Sequence, residues 1–154
     1  MRRAVAAFAL FIAFDGAFAQ APSAKVMRDI VGARDSVWRA WFAHDTVRLG
    51  RLLPSALVAG GGQPIHWNDL PTELSESRSF ASSGARLERL RFANTRVTLD
   101  GDVAMVAADY QLYIRSPQGL DSVSGHAVEL FVREGEHWVN PFWLLARRPV
   151  AAPH

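Results

Sequence analysis

Glu129 is the residue whose neighbours most favour chemistry. It sits in the run Val128-Glu129-Leu130-Phe131, where an edge or solvent-facing carboxylate is the ordinary reading. A carboxyl that instead points into an apolar pocket loses its hydration, and its pKa rises until it can accept a proton near neutral pH. Tyr110 and Tyr113 fall on opposite faces of one strand, because side chains alternate with a period of two. Ala104, Val106, Ala108, Tyr110 and Leu112 form the more apolar row, so Tyr110 is expected to face inward and Asp109 outward, paired with an arginine. A buried tyrosine ordinarily gives its hydroxyl one structural hydrogen bond.

The remaining reactive residues are less promising. His44-Asp45 looks like a dyad but reads as two separate things. Asp45 suits a helix cap, and His44 continues an apolar stripe after Trp41, towards a pocket floor or a bond to the sheet. His44, His66, His126 and His137 lack the paired spacing of a metal site, so no metal and no cofactor is expected. No Gly-x-Ser-x-Gly elbow is present. Gly60-Gly61-Gly62 is followed by neither Lys-Ser/Thr nor a helix, so it reads as a turned loop rather than a phosphate cradle. Trp38, Trp41, Trp138 and Trp143 are expected between the first helix and the last strand, where they fill a core and line an apolar pocket. The pocket set is therefore Trp41, His44, Tyr110, Trp138, Asn140 and Trp143, with Trp67 at a pocket mouth or a dimer surface.

Helices come first and strands afterwards. Val26, Ile30, Ala33, Val37 and Trp41 recur at helical spacing between Lys25 and His44. A short helix over 46–53 ends at Pro54, Leu57-Val58 leads a short strand into the glycines, and Asn68-Asp69 with Pro71 opens another helix that closes near Gly84. That helix has only a weak stripe (Leu70, Leu74, Phe80, Ala81) and is expected to lie over the fold as a partial lid. From Arg86 the period changes to two. Residues 86–99, 103–114, 122–133 and 136–145 read as four strands joined by Gly-rich turns, an antiparallel meander with helices on one face. The class is α+β.

Trp38-x-x-Trp41-x-x-His44-Asp45, then Gly84-x-x-Leu87, then Gly101-Asp102-Val103-Ala104, resembles the nuclear-transport-factor-2-like superfamily. The block Gly125-His-Ala-Val-Glu129-Leu-Phe131-Val-Arg133 with Trp138-Val-Asn140-Pro-x-Trp143 is similar to its SnoaL-like and DUF4440 (uncharacterised) domains. The resemblance implies a cystatin-like cone, a curved antiparallel sheet wrapped around helices with a pocket between them. Ketosteroid isomerases share that fold and use a pocket carboxylate as base, with a tyrosine and an acid stabilising the oxyanion. Carried over, Glu129 is the base, and Tyr110 or Asp109 the oxyanion partners. Many relatives place histidine and aspartate after the residue equivalent to Trp143; here Leu144 and Ala146 stand there, which argues against proton-transfer chemistry.

Composition adds a compartment. Met1-Arg2-Arg3, the eleven apolar residues Ala4–Phe14 and the small residues Ala17-Phe18-Ala19 have the layout of a signal peptide, too short to span a bilayer. Residues 1–19 are thus expected to be a signal and 20–154 one domain of a periplasmic or secreted protein. Without cysteine the chain has no disulfide, thiol nucleophile or lipid anchor. Of 17 basic residues only Lys25 is lysine, and the net charge of +2 falls to +1 (+2 − 2 + 1) when Arg2, Arg3 and Asp15 leave, so nucleic acid is not an expected partner. The expected function is binding of a small apolar or amphipathic molecule without catalysis. An isomerase or cyclase using Glu129, and a structural module dimerising through its sheet, remain the alternatives.

Overall fold

Asp45 works at a junction. In the computed structural model, which describes residues 22–148, its side chain accepts from the Arg48 N–H at 3.0 Å and so caps helix α2 (Thr46–Leu52). Its own N–H closes the preceding helix α1 (Ala24–Ala43) by donating to the Ala40 carbonyl. His44 is the left-handed residue between them (φ 51°), a position usually given to glycine. Asp69 and Pro71 start α3 (Leu70–Ser82), and Gly84 (φ 77°) follows its end.

The strands are β1 (Val58–Gly61), β2 (His66–Asn68), β3 (Arg86–Asp100), β4 (Val103–Ser116), β5 (Gly119–Glu134) and β6 (His137–Arg147). They form one sheet in the order β2-β1-β6-β5-β4-β3. The last four make the expected meander, but the sheet does not stop there. β1 lies parallel to β6 and β2 antiparallel to β1, so the backbone of β6 is paired on both sides. Gly60 and Gly61 are therefore strand residues, which corrects the reading of the triple glycine as a loop. A Cβ at Gly60 would lie 2.6 Å from the Trp67 ring, so glycine is what lets that indole cross β1.

The register explains what faces the helices. On the concave face one row runs Ala59, Trp143, Glu129, Val106, Val97, and another runs Arg147, Gly125, Tyr110, Phe92. The Tyr110 hydroxyl lies across Gly125, where a Cβ would meet it at 2.7 Å as well as the Ala146 carbonyl. Ile30 of α1 packs on Ala104, Val106, Phe131 and Trp138; Val37 and Ala40 pack with Leu49, Leu53 and Trp143. Trp38 turns its ring to Tyr110 and Phe92, with centroids 5.2 and 5.3 Å away, in a cluster that Leu145 of β6 also packs against.

A bulge at Ala93/Arg96, with Asn94 at φ 52°, breaks the alternation of β3. Simple alternation would put Thr95 on the outward face with Arg91 and Ala93; the bulge turns it to Arg34 of α1, whose guanidinium donates to its hydroxyl at 3.1 Å.

Candidate functional site

Between α1, α3 and the concave face lies a cavity of about 730 Å³. Trp38, Tyr110, Leu112, Trp143 and Leu145 form its apolar floor. Trp41, Phe42 and Phe80 stand together at its α3 side with centroids 5.0–5.9 Å apart. Its polar lining comes from Glu73, Glu76, His66, Asn68 and Arg147. Tyr110 titrates above its ordinary value because it is buried, with the nearby Arg147 charge pulling the other way.

Glu129 lies behind this wall. It is 1% exposed and is not a lining residue. Trp38, which does line the cavity, donates its indole N–H to Oε1 at 2.9 Å, while Oε2 has no partner in the protein. Burial pushes the carboxyl up to about 7, against the opposing effects of the Trp38 bond and the Arg34 charge. Arg34 is itself buried (3% exposed), stacked 3.7 Å above the Phe92 ring. Its pKa is lowered by burial and partly restored by Glu129 and Asp35. This is a tuned carboxyl without an open path to the cavity, since a general base must come within about 3 Å of the proton it takes.

Of the residues expected to line the pocket, the cavity brings together Trp41, Tyr110 and Trp143. Trp138 instead packs with Ile30 and Phe131 in the core beneath α1. Asn140 sits in the bulge of β6 opposite Phe131, fully buried, and neither amide atom has a protein partner. His44 is drawn away from both floor and sheet by its role in closing α1. Its Nδ1 lies 3.0 Å from the Ser77 hydroxyl. That hydroxyl spends its one proton on the Trp41 carbonyl, so the imidazole Nδ1–H must be the donor.

Asp109 faces outward as expected, but its partners are Asn94 (2.7 Å) and His126 (2.6 Å), with Arg148 at 3.8 Å, and together they hold its carboxyl below the usual range. It stands on the opposite face from Tyr110, so the two cannot act on one oxyanion. Leu144 and Ala146 also face outward, opposite Val128 and His126. Their identity therefore removes nothing from the cavity, a correction to the weight placed on that pair.

Glu73 is the most buried carboxylate among the lining residues missed in the sequence, which also include Phe42, Asn68, Glu76 and Arg147. It is 6% exposed, accepts from the Trp41 indole at 2.8 Å and from the Asn68 amide at 3.0 Å, and is raised mainly by burial. Residues 70, 73, 74, 77 and 80 form one face of α3, and its polar members Glu73 and Ser77 made the stripe look weak. Among the described residues no cluster of three or more His, Asp or Glu could hold a metal ion, and no helix is long and apolar enough to cross a membrane.

Neither a family model nor a curated protein matches the sequence. Solved structures do. A nuclear-transport-factor-2-like superfamily protein from Salmonella enterica serovar Typhimurium superposes with TM-score 0.69 at 8% identity, over 85% of this chain and 96% of that one. An NTF2-like protein of unknown function in nutrient uptake from Rhodospirillum rubrum gives 0.65 at 17%, over 79% and 99%. The CaMKII hub of S. rosetta gives 0.64 at 11%, over 84% and 99%. Shared topology at such low identity is evidence of architecture. The chain has the fold of the nuclear-transport-factor-2-like superfamily.

Proposed function

We infer that this chain is an exported binding protein of the SnoaL-like or DUF4440 kind, whose cone holds a small apolar or amphipathic molecule without acting on it. The observation that carries the reading is the 730 Å³ cavity floored by Trp38, Tyr110, Trp143 and Leu145. Its size and lining are those of small-molecule sites. The tuned carboxyl, Glu129, stands behind Trp38 and not in the wall, which favours binding over an isomerase-like reaction.

The neutral dye N-phenyl-1-naphthylamine is expected to bind saturably, with a rise in emission. Val123→Trp, which fills the cavity from β5, is expected to weaken it about tenfold or more, a loss of at least 1.4 kcal/mol. Absence of saturable binding, or full binding by the filled variant, would refute the reading.

A second reading has its own support. On the convex face Val58, Phe142, Leu130 and Met105 form an apolar row across four strands, extended by Trp67 at 57% exposure. Such a face suits a second copy of the chain, in keeping with the hub among the structural neighbours. Native mass spectrometry of protein secreted by a bacterial host tests both remaining parts. Export predicts a chain lacking residues 1–19, and the convex-face reading predicts two copies. A full-length product or a monomer at micromolar concentration would contradict the respective part.

A further inference from the structure

The charges of the cavity wall are not evenly placed. Glu73 and Glu76 lie one turn apart on α3, the helix that also carries Phe80, while the lining cation Arg147 belongs to β6 and acts on Tyr110. Glu73 is more than nine-tenths buried, and its two hydrogen bonds come from neutral donors, the Trp41 indole and the Asn68 amide. Among the described residues neither Glu73 nor Glu76 forms an ion pair. A buried carboxylate without a cation is costly unless something charged meets it. Each Glu73 oxygen keeps a free lone pair, and the aromatic rings lining the same wall are of the kind whose electron-rich faces attract ammonium groups.

We propose that the cavity selects an organic cation, a substituted ammonium bearing an apolar group. The ammonium sits between Glu73, Glu76 and the Trp41–Phe42–Phe80 cluster, and the apolar part lies on Trp38, Tyr110 and Trp143. This rests on the ligand-binding reading and goes beyond it by naming the ligand's charge. The wall explains the selectivity. An anion would have to avoid two carboxylates, and a neutral molecule would leave the Glu73 charge unmet.

The test compares benzyltrimethylammonium with its uncharged isostere neopentylbenzene and with phenylacetate, by displacement of the naphthylamine dye from the intact protein. The cation is expected to bind about tenfold tighter than the isostere, the scale of a desolvated cation–aromatic contact. Glu73→Gln and Glu76→Gln are each expected to cost the cation about three- to tenfold and to leave the isostere unchanged. Glu76 is exposed, so its variant carries the comparison should Glu73→Gln fold poorly. Equal affinity for cation and isostere, tighter binding of phenylacetate, or cation affinity indifferent to both substitutions would overturn the charge assignment while leaving the pocket intact. If the dye and all three probes fail to bind, the pocket reading falls with it.

Discussion

Trp38→Ala is expected to destabilise the fold by about 3–5 kcal/mol, the usual cost of deleting a large buried aromatic ring. Three losses coincide at this position: packing against Phe92, packing against Tyr110, and the indole hydrogen bond to Glu129. Trp38→Phe separates them. It keeps a ring but leaves both Glu129 oxygens without a partner, which is expected to cost about 1–3 kcal/mol. Combining Trp38→Phe with Glu129→Leu should recover part of that loss, because the stranded carboxyl is gone. Urea denaturation of the two single variants and the double variant checks this. Strict additivity of the two substitutions would show that the Trp38–Glu129 contact carries no coupling.

Glu129→Gln is expected to stabilise the protein at pH 8 and to have little effect at pH 5. In the folded state burial raises this carboxyl to about 7 from an ordinary 4.5. Between those values the folded protein holds a proton that the unfolded chain has released. Stability therefore falls as pH rises from about 4.5 towards 7, and above 7 the full cost of a buried anion is present. The shift corresponds to something on the order of 3 kcal/mol. Glutamine keeps an oxygen for the Trp38 indole and carries no charge, so the variant should lose that pH dependence. Glu73, raised in the same direction, continues to supply a weaker trend of the same sign. Thermal unfolding at the two pH values decides the matter, and an equal change at both would exclude a buried ionisation at Glu129.

Much of the architecture was legible because it rests on repetition. The stripe of α1, the Asp69 and Pro71 start signals and the Ala104–Leu112 row repeat one physical demand over many residues. What escaped the sequence depended on single events. The bulge in β3 reverses the facing of Thr95 through one left-handed residue, Asn94. β1 was expected from Leu57-Val58, but its glycine half carries no strand period, and its pairing is decided by the distant β6. At the site, Tyr110 and Trp143 were visible as apolar aromatic positions. Glu73 was not, because a buried carboxylate looks like a solvated one until the Trp41 indole and the Asn68 amide are seen to meet it.

The parallel seam between β1 and β6 sets an order of assembly. Each hairpin of the meander closes a short loop, whereas Val58 meets Phe142 only after most of the chain has been gathered. The seam is thus expected to close last and to be the first part to open in the native state. Gly60, Gly61, Gly62, His66, Trp67 and Asn68, which line the cavity, belong to that late segment. The wall of the cavity on this side is therefore held by the long-range pairing of β1 with β6, whereas the α1 and meander side is held by local turns.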